Sequence, residues 1–244
     1  MKKIALLLLL ALSSMLANAN IENSLHNAAN YGDLIRTKAL VAEGIQLDLI
    51  NDSGETALYV ATKRGNIKIA RYLLQNGANV NKSTDSLTTP LSIACRNGDF
   101  EIVELLLRFK ADTEKSNSFL ETPLFISVNR GDFNTTSFLA EHGADLDKVT
   151  VHGTSALMIT SFKGYADITN LLISKGARLD LVDQYKQTAL FHAADLGALE
   201  IVKSLVTAGA DINMRSGNGS PLDRAKYRKH QLVVDYLISI GAKE

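Results

Sequence analysis

Two kinds of short apolar stripe alternate along this chain. One is small and tight: Leu58, Ala61 and Thr62 in one place, Leu190, Ala193 and Ala194 in another. The other is larger: Ile69, Ala70, Leu73 and Leu74, then Ile102, Val103, Leu106 and Leu107, and later Ile201, Val202, Leu205 and Val206. Apolar residues at i, i+1, i+4 and i+5 lie on one face of an α-helix. The pattern predicts pairs of short helices, the first of each pair small enough on its buried face for a neighbour to approach closely.

Glycine and hydroxyl residues punctuate these stripes on a fixed period. Gly32, Gly65, Gly98, Gly131, Gly164 and Gly197 recur every thirty-three residues. A second row runs Gly44, Gly77, Gly143, Gly176, Gly209 and, one residue early, Gly241. A third is Thr56, Thr89, Thr122, Ser155, Thr188 and, again one early, Ser220. The hydroxyl row sits where it can cap the first helix by accepting from a free backbone N–H. Pro90, Pro123 and Pro221 each follow such a hydroxyl, in the first helical turn, where proline sacrifices no hydrogen bond. The glycine rows fall where the two helices end and a left-handed residue is wanted. Gly77-Ala78-Asn79, Gly143-Ala144-Asp145 and Gly209-Ala210-Asp211 then lead into a connecting β-hairpin.

Together these residues resemble the ankyrin-repeat family, whose pattern of Thr-Pro-Leu-His, Ala-Ala, Gly, Leu-Leu and Gly-Ala-Asp is visible in pieces throughout. Leu25-His26-Asn27-Ala28-Ala29-Asn30-Tyr31-Gly32 supplies a first repeat of the same kind. The resemblance implies an all-α repeat fold, an ankyrin solenoid with a helix-turn-helix and a β-hairpin per unit. It implies about seven repeats, at 21–53, 54–86, 87–119, 120–152, 153–185, 186–217 and 218–244. Such repeats hold together only by stacking on one another. Three departures bear on stability. Lys110 and Lys229 stand where glycine is expected, the second helix of the fourth repeat reads Thr135-Thr136-Ser137 where its siblings are aliphatic, and the hairpin before the last repeat is one residue short.

Composition narrows the function. With 46% apolar and 21% charged residues the chain is neither disordered nor broadly membrane-embedded. Twenty-six basic residues balance twenty-six acidic ones, so there is no overall field to draw in nucleic acid. The first residues follow a separate logic. Lys2 and Lys3, the apolar run Ile4 to Leu12, and Ala17-Asn18-Ala19 read as a signal peptide over 1–19, bacterial in form, with cleavage after Ala19. The run is too short to span a bilayer; the competing reading is a buried N-terminal helix. The mature chain, 20–244, is then expected in the periplasm or secreted, without stable membrane insertion and as a monomer. Cys95 is the only cysteine, so no internal disulfide can form.

Catalytic chemistry finds little footing. Cys95 occupies the small-residue slot of Thr62 and Ala194. His26, His142, His192 and His230 fall on ordinary repeat positions, and His152 lies at a hairpin tip. A nucleophile needs a base and an orienting group, and the register supplies neither. Phosphate-loop, paired-cysteine and His-Glu-x-x-His patterns do not occur. No enzyme activity and no cofactor is expected. Asp147, Asp180 and Asn213 recur by period and read as turn formers.

The resemblance further implies a protein partner, bound by hairpin tips and the exposed ends of the first helices. Carried over by register, the helix-end column contributes Arg64, Arg96, Arg130, Phe162 and Lys163, Asp195 and Leu196, and Tyr227 and Arg228. The tips contribute Phe119, Val149, Val151, His152, Val182 and Tyr185. The first half of this set is polar; the second brings apolar bulk with a basic rim, the composition of interface hot spots. The competing reading is that the valines pack on one another and stiffen the tips. Acidic residues such as Asp52, Glu55, Asp85 and Glu121 interrupt the basic column, which suits an acidic protein surface better than nucleic acid. Inhibitor or immunity protein, accessory to an exported enzyme, effector toward a host protein, and self-associating scaffold all share this architecture.

Overall fold

A computed structural model of the chain describes residues 25–243. The signal-peptide reading, the cleavage after Ala19 and the start of the first repeat lie outside the described residues. The chain falls into two compact units, Met1–Asp112 and Thr113–Glu244, with the boundary inside the third repeat. Among the described residues there are fourteen helices and no extended strand, and no helix is long and apolar enough to cross a membrane.

The first unit holds α1 (25–31), α2 (Leu34–Ala42), α3 (Ala57–Lys63), α4 (Ile67–Gln75), α5 (Pro90–Asn97) and α6 (Phe100–Arg108). The second holds α7 (Pro123–Arg130), α8 (Phe133–Glu141), α9 (Ala156–Lys163), α10 (Ala166–Ser174), α11 (Ala189–Leu196), α12 (Leu199–Thr207), α13 (Pro221–Arg228) and α14 (Gln231–Ser239). From α3 on, the odd-numbered helices begin as the hydroxyl row requires. Thr56, Thr89, Thr122, Ser155, Thr188 and Ser220 each accept a hydrogen bond from the backbone N–H three residues on. The aliphatic stripes are buried: Leu58, Ile69, Leu73, Leu91, Ile102 and Leu106 in the first unit, Leu124, Leu139, Leu157 and Met158 in the second. Lys110 and Lys229 take the left-handed conformation of the glycines they replace, with φ of 63° and 64°.

The expected hairpins are reduced to closed turns, three of which carry a single antiparallel bridge: Ile50 with Thr56, Val149 with Ser155, and Ser216 with Gly219. A polar residue organises each turn on the same thirty-three-residue period: Asn51, Thr84, Asn117, Thr150, Asp183 and Ser216. At Asn51, Asn117 and Asp183 one side-chain oxygen accepts from the N–H groups two and four residues on. Fixing both ends of the turn forces its fourth residue left-handed even where that residue is Leu120 or Lys186, at φ of 58° and 59°; Leu87, in the turn that Thr84 closes through the Thr88 N–H, takes the same conformation at 60°.

The residues read as turn formers do more than shape turns. Asp147 accepts from the Arg178 N–H, Asp180 from Asp211 and Asn213 from Lys243, at 2.8–3.0 Å, so each ties its own repeat to the next. Asp48 and Asn81 do the same in the first unit. In the fourth repeat Thr135 and Thr136 are fully buried, but their hydroxyls are satisfied: Thr135 donates to the Asp132 carboxylate, and Thr136 to the Asp132 carbonyl.

Candidate functional site

In the first unit, the exposed ends of α3 and α5 carry Arg64 and Arg96. Arg64 Nε donates to Asn30 Oδ1 at 2.7 Å, and the adjacent Lys63 pairs with Glu55 at 2.7 Å. This surface is polar, as its sequence implies.

The second unit differs. Its turn tips are chained by their backbones: the Val151 N–H donates to the Phe119 carbonyl at 3.1 Å and the Gln184 N–H to that of His152 at 2.9 Å. The His152 ring also meets Gln184 Oε1 at 3.3 Å. Phe119 and Tyr185 project from this ladder, each 62% exposed. Val149, Val151 and Val182 are exposed as well. A backbone ladder thus joins the tips, and their apolar side chains are partly exposed, from Val149 at 37% to Phe119 and Tyr185 at 62%.

On the helix ends, Phe162 of α9 and Leu196 of α11 come together. They line a groove of about 410 Å³ with Asp195, Arg228 and His230. Phe162 is 54% and Leu196 45% exposed. The glycine row makes the approach possible. A Cβ on left-handed Gly164 would stand 3.1 Å from Leu196 Cδ2, and one on Gly197 would stand 2.5 Å from the His230 ring. Arg130 is exposed at the end of α7. Lys163 Nζ donates to the Asn129 carbonyl at 2.6 Å and lies 5.9 Å from the centre of the Tyr165 ring.

Charge in the groove is organised around one carboxylate. Arg228 grips Asp195 with two bonds, Nε to Oδ1 at 2.6 Å and Nη2 to Oδ2 at 3.2 Å, and Arg224 donates to the same Oδ1. Burial pushes the Asp195 carboxyl up, but the bonds and charges of Arg228 and Arg224 outweigh it and hold the pKa below the ordinary aspartate value. His230 Nε2 donates to the Asp195 carbonyl at 3.0 Å. Arg224 also lies over the rings of Phe191 and Tyr227, 5.9 Å and 5.1 Å from their centres. Beside it, His192 packs edge-on to Phe162 and Phe191. Burial lowers its pKa, against the opposing pull of Asp183 and Asp195.

Register placed Phe162, Leu196, Asp195 and Arg228 on this face, and the structure joins them. Arg64 and Arg96 belong to the other unit. His192, Arg224 and His230 were not foreseen here; His192 and Arg224 were signalled by a polar side chain in an otherwise aliphatic column, whereas His230 follows Asn66, Asp99 and Asp132 in a largely polar one. The remaining histidines are tied to backbone: His26 Nε2 donates to the Leu49 carbonyl and His142 Nδ1 to that of Phe138. Cys95 is buried. Among the described residues no cluster of His, Cys, Asp and Glu could hold a metal ion.

Comparison with known proteins agrees with the repeat geometry. The family model described as ankyrin repeats (3 copies) matches residues 2–84, 91–183 and 157–244, and that described as ankyrin repeats (many copies) matches 63–107. No curated protein matches in sequence. Among solved structures, the ankyrin repeat domain of human ASB11 is similar with a TM-score of 0.74 and 28% identity, over 90% of this chain and 98% of that one. The ankyrin repeat domain of Bcl-3, an IkappaB-family protein, gives a TM-score of 0.80 and 28% identity, over 88% of this chain and 97% of that one.

Proposed function

Because the chain belongs to the ankyrin-repeat family, whose domains are in general protein-interaction modules, we propose that it is a non-enzymatic binding protein, exported from the cytoplasm, that holds or regulates one protein partner. The observation that carries the reading is the half-exposed pair Phe162 and Leu196, set in a groove with a paired arginine at its rim. Large apolar side chains in a concave, charge-rimmed setting are what interface centres are made of. Export rests on Lys2, Lys3, the run Ile4 to Leu12 and Ala17-Asn18-Ala19.

The test is affinity purification of the tagged protein from fractionated cells, with its amino terminus sequenced and its companions identified by mass spectrometry. A Phe162→Ala, Leu196→Ala double variant is run beside it. The expected result is a chain beginning at Asn20 outside the cytoplasm, with a companion that the variant loses. Companions identical for both chains, or a retained Met1 in the cytosol, contradict the corresponding half of the reading.

A further inference from the structure

The last three repeats depart from their siblings in two opposite directions at neighbouring columns. One helix position is held by Val60, Ile93, Ile126 and Ile159, the first three of them buried, and then passes to His192 and Arg224. Two other positions, on the exposed end of the same helices, are Lys63 and Arg64, Arg96 and Asn97, Asn129 and Arg130 in the earlier repeats. In the later ones they become Phe162 and Lys163, Asp195 and Leu196, and Tyr227 and Arg228, one large apolar side chain and one charge in each. Stacking alone favours the reverse, apolar within and polar without. The inward polar groups are each provided for. His192 Nε2 lies 3.4 Å from Asp183 Oδ2, and Arg224 is held by Asp195. The outward apolar groups are left 45–75% exposed. A large apolar side chain thus enters the exposed helix end of each of the last three repeats, and a ligand is the compensation the geometry points to.

Charge identifies that ligand's chemistry. Arg224 and Arg228 share the single carboxylate of Asp195, and Asp183 also serves its own turn by accepting from Tyr185 and Gln187. Two arginines thus meet one carboxylate at the groove, and the wall that Arg228 forms there carries positive charge beyond what Asp195 neutralises. Arg228 stands at its rim, held by Asp195 and with its side chain 47% exposed. We propose that the groove receives a protein segment carrying an aromatic or aliphatic side chain beside a carboxylate, the apolar group between Phe162 and Leu196 and the carboxylate toward Arg228. This rests on the protein-binding reading above and adds to it the partner's local chemistry. A guanidinium that shares its carboxylate with a second arginine suits a further carboxylate, and complementary charge fixes the register of the apolar anchor.

The probe is a random peptide library displayed on phage and selected on the full mature chain. Expected is enrichment of peptides that place Asp or Glu next to Phe, Tyr, Leu or Ile. Binding of these peptides should weaken at least tenfold on Phe162→Ala and on Leu196→Ala, with melting unchanged. On Arg228→Gln, which leaves Asp195 paired with Arg224, the preference for an acidic neighbour should disappear. Peptides that need Phe162 but carry no acidic residue overturn the proposed chemistry while leaving the protein-binding function standing. No enrichment, or binding indifferent to Phe162 and Leu196, overturns the proposal and removes the observation on which that function rests. A dimer in sedimentation velocity that Phe162→Ala dissociates assigns the groove to a second copy of the chain, and likewise overturns it.

Discussion

His192 on α11 and Asp183 in the turn before it meet at 3.4 Å, Nε2 to Oδ2, and each is an exception in its own column. Asp183 is the only carboxylate among the turn organisers Asn51, Thr84, Asn117, Thr150 and Ser216, and His192 is the only histidine in a column that is otherwise aliphatic from Val60 to Ile159. Two departures in adjoining repeats that answer each other make a coupled pair, and the pair joins the turn carrying Tyr185 to the helix carrying Leu196.

This pair gives the protein a pH dependence of defined sign. Burial, the largest influence, lowers the His192 pKa, while Asp183 and Asp195 pull it back. The unfolded chain therefore binds the histidine proton at a pH where the folded chain does not. The contribution to stability is full above the ordinary histidine value of about 6.5, falls as pH drops through it, and levels off below the folded pKa. A ring titration of His192 by NMR should show a midpoint below that of a free histidine. His192→Ile, the residue of its siblings, should flatten this part of the stability curve in urea unfolding. A midpoint at or above the free value would show that Asp183 dominates burial.

Left-handed lysines offer a second test. Lys110 and Lys186 hold φ of 63° and 59° with exposed side chains. Glycine takes this conformation without strain but loses more entropy on folding. Lys110→Gly and Lys186→Gly should each stabilise by a net ~0.5–1 kcal/mol, read as a higher urea midpoint at unchanged slope. No change would mean the turns relax around lysine at no cost.

Thr62 is fully buried, and its Oγ1 has no hydrogen-bond partner among the described residues. The equivalent position one repeat before Ser161 is Val128, also buried. Thr62→Val keeps the shape and removes an unsatisfied hydroxyl, and should stabilise by about 1 kcal/mol. A loss of stability on thermal melting would reveal a partner for the hydroxyl.

The fourth repeat remains the internal segment expected to open first. Thr135 and Thr136 bury hydroxyls where Ile102 and Val103 bury methyl groups, and hydrogen bonding to Asp132 satisfies them without supplying the lost apolar area. Hydrogen exchange should find α8 less protected than α6 and α12. Equal protection would show that the Asp132 bonds compensate fully.

How far the sequence carries depends on which force acts at a residue. The caps at Thr56, Thr89 and Thr122 and the glycine helix ends were legible, because each is a local backbone requirement met by one residue type. The same rule marked Lys110 and Lys229, since a missing glycine in a regular row is itself a signal. Leu87, Leu120 and Lys186 are harder to see: Gly54, Gly153 and Gly219 in the same column carry the signal, but these three positions break the row, and their conformation is imposed by an organiser three residues earlier. Phe162 and Leu196 were legible by register as exposed apolar side chains. The grip of Arg224 and Arg228 on Asp195 was not, because it spans roughly thirty residues through long side chains, across the one repeat whose spacing slips by a residue.

The central claim is that the apolar side chains of the second unit bind a protein and do not hold the fold together. Its most direct measurement is the dissociation constant of the purified partner, with thermal melting, for Phe162→Ala and Tyr185→Ala. Truncating a central aromatic anchor costs about 2 kcal/mol or more, roughly thirtyfold in affinity. Phe162 and Tyr185 are 54% and 62% exposed, so the melting temperature should stay where it is. Thirtyfold weaker binding at unchanged melting is the predicted result. Binding that survives both substitutions, or a chain that either one unfolds, would contradict the account and return these side chains to the packing of the repeats.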